Sequence, residues 1–140
     1  MSNTSQKTKQ IKNVAVAIVR DEDGQVLLIK PDKSASKIRG NSTWDFPANE
    51  ITPGATYTET FVSEVLETTG CIIEAVSLVS SEKKISAGYH YEYVECKVVC
   101  KDDHNGNGSS GEHKWVKPSS FRKYFKKRIN NDIIEFLGLL

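Results

Sequence analysis

The sequence predicts one domain of the α/β (α+β) class, because segments with strand character and segments with helix character both occur along its 140 residues. Two apolar runs rich in β-branched residues, at 14–19 and 26–29, are separated by an Asp-Gly turn signal and predict an early hairpin. Segment 57–69 instead repeats its apolar residues at helical spacing. The composition, 38% hydrophobic and 26% charged, is that of an ordinary globular domain with one core.

The domain is expected to begin near Asn13. Residues 1–12 are rich in Ser, Thr, Gln, Asn and Lys, have little to bury, and predict a disordered leader, so that 13–140 forms the domain. Residues 31–43 show no periodic pattern and predict a loop that lies over a site.

The predicted helix at 57–69 has an apolar side and an acidic side. The apolar residues cover an arc roughly 140° wide and are Phe61, Val62, Val65 and Leu66. Glu64 and Glu67 lie about 60° apart on the other side. Gly70 directly after the helix suits the left-handed position that ends it. One face of this helix therefore packs, and the other presents two carboxylates.

The second half of the chain predicts strands followed by helices. In order, the sequence predicts an antiparallel pair of strands at 75–81 and 89–100, a turn-rich loop at 102–111, a short strand at 113–116, a helix from Pro118 through Arg128, and a last helix capped by Asp132 that runs to Leu140.

Charge and composition exclude several classes of protein. The net charge is +1, and the basic run 122–128 is interpreted as the solvated face of a helix, so no nucleic-acid partner is expected. No segment approaches the ~20 apolar residues that cross a bilayer, and the start lacks the apolar core of a signal peptide, which together predict a cytoplasmic protein without a membrane partner. The three cysteines, Cys71, Cys96 and Cys100, have no disulfide or zinc spacing and are expected to be buried thiols.

Residues 44–71 carry the motif that bears most directly on function. After Phe46-Pro47, the spacing from position 49 to Cys71 resembles the Nudix box, whose pattern is Gly, five residues, Glu, seven residues, then Arg-Glu-(apolar)-x-Glu-Glu-x-Gly-(apolar). The positions that match are Glu64, Val65, Glu67, Gly70 and the apolar-like Cys71. The positions that depart are Asn49 for Gly, Ala55 for Glu, Ser63 for Arg and Thr68 for the second Glu of the pair.

The resemblance to the Nudix hydrolase family, and to its MutT-like members, implies a mixed β-sheet sandwiched between α-helices. It implies hydrolysis of the diphosphate linkage of a nucleoside diphosphate derivative, first of all a nucleoside triphosphate, with Mg²⁺ or Mn²⁺. Glu64 is then a metal ligand or the base acting on water, Glu67 a metal ligand, and Glu112 a further acidic metal ligand. Lys30 would lie near the substrate phosphates, and Phe46 is a candidate to stack on a base.

Several alternatives remain open at this stage. Phe46 and Trp44 fit core packing as well as base stacking. Asn130 or Asn131 stands roughly where some MutT-like members place a purine-reading Asn, although helix capping explains either residue. Glu50 and Glu59 are expected to be surface charges.

The departures from the box support a second functional hypothesis. In the family the loop Glu and the helix Arg commonly form an ion pair; Ala55 and Ser63 remove both partners, so the loop is expected to be held by other contacts. Asn49 is expected to tolerate the positive φ of a glycine position. Thr68 replaces an anionic ligand by a hydroxyl and should weaken cation binding. The alternative to an enzyme is therefore a weak or inactive Nudix domain that binds a nucleotide as a sensor or regulatory module.

Overall fold

The computed structural model describes residues 11–31, 44–84, 88–101, 111–126 and 128–139. Within these ranges the chain forms six strands and three α-helices, with a 3₁₀ turn at Pro118–Ser120. In chain order they are β1 (Lys12–Arg20), β2 (Val26–Pro31), β3 (Ala48–Glu50), α1 (Tyr57–Thr69), β4 (Ile72–Lys84), β5 (Tyr89–Cys100), β6 (Gly111–Val116), α2 (Phe121–Tyr124) and α3 (Asn131–Leu137). Most of the predicted leader and most of the predicted loops at 31–43 and 102–111 lie outside the described residues.

The strands form one mixed sheet in the order β4-β5-β1-β2-β6, with β3 also paired to β1. β1 runs parallel to β5, and the other pairs are antiparallel. β1 meets β2 at Arg20 and Val26, across the predicted turn, and meets β3 at Val14 to Val16. The predicted hairpin and the predicted pair β4–β5 are therefore confirmed. The short strand β3 is too brief to carry an alternating pattern and was not predicted.

The two faces of β1 are both buried, because helices cover both sides of the sheet. Its alternate residues Ala15, Ala17 and Val19 pack in one cluster with Phe61 and Val65 of α1. The intervening residues Val14, Val16 and Ile18 pack in a second cluster with the C-terminal helices. A strand buried on both faces reads as a continuous apolar run, which explains the sequence pattern at 14–19. The predicted sandwich of a mixed sheet between helices is confirmed.

Helix α1 begins and ends where the sequence predicts. Thr56 Oγ1 accepts a hydrogen bond from the Glu59 backbone N–H, and the Glu59 carboxylate accepts one from the Thr56 N–H, which together form a capping box. Gly70 ends the helix at φ 81°, a left-handed conformation that glycine adopts without strain.

The buried face of α1 differs from the predicted one. Phe61 and Val65 are fully buried as expected, but Leu66 is 47% exposed, while Thr68 at 3% and Thr69 at 0% are buried. The side of the helix that packs on the sheet is therefore shifted toward Glu64, compared with the arc of apolar residues in the sequence. Thr69 tolerates burial because its hydroxyl donates to the Val65 carbonyl and accepts from the Cys71 N–H.

The helix predicted from Pro118 through Arg128 is correct at its start and too long at its end. Pro118–Ser120 forms a 3₁₀ turn that leads into the α-helix at 121–124, and Phe125 is extended at φ −92° and ψ 104°. The basic run places like charges four residues apart with no acid among them, which disfavours a continued helix. Phe121 and Phe125 are nevertheless both buried against the sheet.

The last helix also differs at both ends from its prediction. Its N-cap is Asn130, whose side chain accepts from the Asp132 N–H at 2.7 Å, so capping explains this asparagine. The helix ends at Leu137, because Gly138 adopts φ 68°. No helix in the described part of the chain is long and apolar enough to span a membrane.

The three cysteines are unpaired, but they are not all buried. Cys71 and Cys96 lie in the core beside α1, where burial, with a smaller effect of Glu95, raises the pKa of the Cys96 thiol to about 12. Cys100 is exposed at the end of the sheet, so the expectation that all three thiols are buried is wrong for this one.

An ion pair between an enclosed carboxylate and an exposed ammonium group joins the first hairpin turn to the end of β5. The Asp21 carboxylate, 6% exposed, lies 3.0 Å from Lys101 Nζ and accepts backbone hydrogen bonds from Asp23 and Gln25. The Lys101 ammonium also lies 4.1 Å from the centre of the Trp115 ring on β6. Burial alone would raise the pKa of Asp21, but these donors outweigh it and hold the pKa below its usual value.

Lys101→Met is expected to lower the free energy of unfolding by about 1–2 kcal/mol at pH 7, because it leaves a buried carboxylate without its cation. A lowered folded-state pKa adds stability that is present above the ordinary carboxyl pKa and is lost as pH falls through the folded value. Urea unfolding should therefore show the difference between variant and parent shrinking as the pH falls below about 4. Lys97→Met, which breaks the exposed pair with Glu74, is the control and should change stability little.

Candidate active site on helix α1

Glu64 and Glu67 lie on adjacent turns of α1, and Glu64 borders β3. Glu64 is half-buried and accepts a hydrogen bond from Asn49 Nδ2 at 3.4 Å. Glu67 is exposed one turn further along the helix. Side chains three residues apart are neighbours on a helix surface, so the two carboxylates border one common patch that is open to solvent on the Glu67 side.

Asn49 does not use the conformation expected at a glycine position. No non-glycine residue in the described ranges has a positive φ, and Asn49 lies in β3, opposite Ala15 of β1. The expectation that position 49 has the positive φ of a glycine position is therefore wrong. Its side chain instead connects the strand to α1 through Glu64.

The loop between β3 and α1 is held by backbone contacts and the capping box. The Ile51 N–H donates to the Asn13 carbonyl at 2.8 Å, and the Ala55 N–H donates to the Thr52 carbonyl at 3.0 Å. Gly54 takes φ 87° in the turn between them. The sequence leads one to expect that contacts other than an ion pair between positions 55 and 63 hold this loop. These hydrogen bonds are such contacts.

Glu112 does not join the two helix acids. Alternation along β6 places Trp115 on the face that α1 covers and Glu112 on the opposite face, where it pairs in register with Lys30. Nowhere in the described ranges do three or more His, Cys, Asp or Glu side chains come close enough to hold one metal ion. The three predicted metal carboxylates are therefore not assembled in the structure.

Lys30 and Phe46, the two predicted substrate contacts, occupy different environments. Phe46 is 3% exposed, and its ring centre lies 5.8 Å from that of Phe121 and 4.9 Å from that of Phe125. This favours the core-packing alternative over stacking on a base. Lys30 Nζ lies 5.7 Å from the Trp44 ring centre, and Lys114 Nζ approaches the same ring at 5.8 Å. Lys30 is thus one of two ammonium groups gathered at one indole.

A polar pocket of about 310 Å³, which the sequence did not reveal, lies on the face of the sheet opposite α1. Its walls are Glu82, Tyr93 and residues 128–132. The Tyr93 hydroxyl donates to Glu82 at 3.3 Å, and burial together with Glu82 raises the pKa of this phenol. Residues about 50 positions apart in the sequence, on a strand and at the start of a helix, come together at this pocket. A motif within one stretch of sequence therefore gives no signal for it.

Comparison with known proteins decides the family. Residues 10–137 match the NUDIX domain family. The chain belongs to the Nudix family. Among curated relatives, an 8-oxo-dGDP phosphatase of Mus musculus is 36% identical over 76 residues, which cover 54% of this chain and 22% of that protein. The chain thus spans about a fifth of the length of this relative.

Solved structures show the same fold at lower identity. A Nudix hydrolase from Nitrosomonas europaea aligns over 92% of this chain and 90% of its own with a TM-score of 0.68 and 19% identity. A MutT protein from Methanosarcina mazei aligns over 93% and 92% with a TM-score of 0.64 and 18% identity. The sequence resemblance to the Nudix family and its MutT-like members is therefore confirmed.

The side chains of this Nudix domain fit a divalent cation in part. Carboxylate oxygens are the hard ligands that Mg²⁺ and Mn²⁺ prefer, and Glu64 and Glu67 provide two of them on one helix. Thr68, the third position of the box, is 3% exposed and offers a neutral hydroxyl inside the helix–sheet interface. Mg²⁺ is commonly held by one or two carboxylates plus substrate phosphates, a pattern that the two helix acids match in number.

Proposed function

We propose that this Nudix domain hydrolyses the diphosphate linkage of a nucleoside diphosphate derivative, with Mg²⁺ or Mn²⁺ held by Glu64 and Glu67. The observation that carries the proposal is the position of these two carboxylates on adjacent turns of α1, at the spacing of the Nudix box and with Glu64 beside β3. Nucleoside triphosphates are the first substrates to test. The mouse relative is named for its action on 8-oxo-dGDP, so this compound is the second substrate to test.

Each residue has a defined task in this reaction. The cation, when bound, neutralises phosphate charge and activates or orients water. Glu64 either binds that cation or takes the proton from the attacking water, and Glu67 binds the cation from the solvent side. Lys30 and Lys114, whose ammonium groups gather at Trp44, lie on the same face of the sheet as Glu112 and the polar pocket, and we assign them to the phosphates that extend from a nucleoside bound on that face. Glu112 is not needed for these steps.

The nucleoside part is assigned to the pocket between the sheet and the start of α3. Its volume of about 310 Å³ is at the lower end of the range of small-molecule sites. Glu82 and Asp132 offer carboxylate acceptors there, which suits a base that presents N–H donors. Asn130 uses its amide oxygen on the Asp132 N–H and its amide nitrogen on Ser80 Oγ. Glu82 accepts from Tyr93 Oη and Asp132 from Ser80 Oγ, but a carboxylate accepts several hydrogen bonds, so we assign base recognition to the two acids.

The second candidate function is a nucleotide sensor with little or no turnover. The burial of Thr68 and the position of Glu112 on the far face favour it, because both reduce the number of acids that reach a cation. The two candidates share the fold and the pocket, and they differ in catalysis alone.

The deciding experiment measures hydrolysis and binding on one panel of nucleotides. Nucleoside triphosphates, 8-oxo-dGDP and other nucleoside diphosphate derivatives are incubated with the chain and Mg²⁺ or Mn²⁺, and release of phosphate or pyrophosphate is followed. Calorimetric binding is measured on the same compounds. Cation-dependent turnover supports the enzyme. Binding without turnover supports the sensor. If the chain shows no binding and no turnover with any of these compounds, both candidate functions are overturned.

A further inference from the structure

Three lysine ammonium groups and two aromatic rings alternate on the face of the sheet opposite α1. Lys30 Nζ lies 5.7 Å and Lys114 Nζ 5.8 Å from the centre of the Trp44 ring. Lys114 Nζ also lies 5.0 Å from the centre of the Tyr124 ring, and Lys123 Nζ lies 5.9 Å from that centre. The two rings meet edge to face at 6.4 Å. These five residues form the lysine row, in which Lys114 is the middle cation because it shares one ring with each of the other two.

The positive charges of the lysine row lack a neutralising partner in the part of the chain that the structure describes. Lys30 and Lys114 are half-buried, and the ion pairs described there join other residues. Glu112 stands opposite Lys30 in the register of β2 and β6, but it is exposed, and the described ion pairs do not include these two residues. Half-buried charges are screened less by salt than exposed ones, so the lysines that share a ring repel one another. An anion placed along the row would relieve this repulsion.

We propose that the lysine row binds a linear phosphate chain and selects chains of three or more phosphates. Lysine binds phosphate as a point charge, and its strength there comes from a charge-assisted hydrogen bond. Separate cations in a row therefore fit an extended polyanion, in which each phosphate meets its own ammonium group, better than a compact anion. The cation–π contacts hold the ammonium groups in place beforehand, which lowers the entropy lost when an anion binds.

The lysine row lies within reach of the polar pocket. Arg128, which lines that pocket, is the fourth residue after Tyr124, so the two Cα atoms are at most ~14 Å apart even in a fully extended chain. The inference rests on the proposed function for the nucleoside part of the ligand, and it deepens that function by selecting nucleoside triphosphates over diphosphates. Inorganic polyphosphate carries the same chain without a nucleoside, so the site can be tested separately from the pocket.

The test measures the binding of inorganic anions to the whole chain by calorimetry, without a divalent cation. The anions are orthophosphate, pyrophosphate and tripolyphosphate, with citrate as a compact polyanion that has no phosphate. Lys114→Met removes the middle charge but keeps an apolar stem, Lys114→Arg keeps a charge at the same place, and Lys123→Met removes an end charge. Lys97→Met changes an exposed lysine of β5 outside the row and is the matched control, because it lowers the net charge by the same amount. Thermal unfolding confirms that each variant is folded.

We expect tripolyphosphate to bind about tenfold more tightly than pyrophosphate, and Lys114→Met to weaken the binding of tripolyphosphate by about tenfold. Lys123→Met should weaken tripolyphosphate by about threefold and leave pyrophosphate nearly unchanged, because the shorter chain is held by the other two lysines. Lys114→Arg should recover most of the affinity, and Lys97→Met should bind as the parent does. Equal affinity for citrate and tripolyphosphate, equal losses in Lys114→Met and Lys97→Met, or no binding by the parent overturns the proposal.

Nucleotides measured on the same proteins separate this inference from the proposed function. The preference for a nucleoside triphosphate over its diphosphate should fall in Lys123→Met, and where turnover exists the change should appear in KM and not in kcat. If tripolyphosphate binds as expected but no nucleotide is bound or hydrolysed, the proposed function fails and the lysine row stands as a site for inorganic chains. If nucleotides are hydrolysed but Lys114→Met leaves tripolyphosphate binding unchanged, the proposed function stands and this inference fails.

Discussion

Glu64→Gln is expected to lower kcat by about 100- to 1,000-fold, the loss typical of removing a metal ligand or a general base. Glutamine has the same length and shape, and its side-chain oxygen still accepts the hydrogen bond from Asn49 Nδ2. It carries no charge for a cation and takes no proton near neutral pH. Stability should change little, because Glu64 is half-buried at the edge of α1. Turnover of the best nucleotide, together with urea unfolding, measures both effects.

The matched control is Glu59→Gln on the same helix. Glu59 is exposed at the first turn, and Gln retains the side-chain oxygen that accepts from the Thr56 N–H. Neither the capping box nor turnover should be affected. If both variants lose activity equally, the reacting groups are not at Glu64. A parent with no turnover at all would leave the sensor as the better account of this chain.

The fold was predictable because its central signals are local. The buried run at 14–19 requires a strand covered on both faces, the apolar repeat at 57–69 requires an amphipathic helix, and Gly70 requires the left-handed turn that ends this helix. The box spacing then identified the family, since it fixes where a loop and a helix meet. Each of these signals lies within a short stretch of sequence.

The parts that were missed depend on contacts between distant residues. The orientation of α1 was misjudged at Leu66 and Thr68, because the sheet under the helix, and not the hydrophobicity of each residue, decides which side is buried. Glu112 was grouped with the helix acids because a motif gives no information on which face of β6 it occupies. The use of Asn49 as a link to Glu64 became visible once β3 was placed beside α1.

Thr68→Glu is expected to lower the free energy of unfolding by about 3 kcal/mol without cation, because Thr68 is 3% exposed in the helix–sheet interface. A glutamate there is larger, and its charge loses water while it lies one turn from Glu64, so two like charges approach each other. It also restores the third acid of the Nudix box. A divalent cation should therefore recover much of the loss, by about 2.7 kcal/mol at a hundred times its dissociation constant.

Thermal unfolding of parent and variant, with and without Mn²⁺, measures the loss and the recovery together. Leu66→Glu is the control, because it adds the same charge to the same helix at a position that is 47% exposed and lies away from Glu64. It should be nearly as stable as the parent and should gain no more from Mn²⁺ than the parent does. If Thr68→Glu is destabilised but Mn²⁺ stabilises it no more than it stabilises the parent, position 68 does not face the cation. Any cation would then be held without help from position 68, by Glu64 and Glu67 together with substrate phosphates.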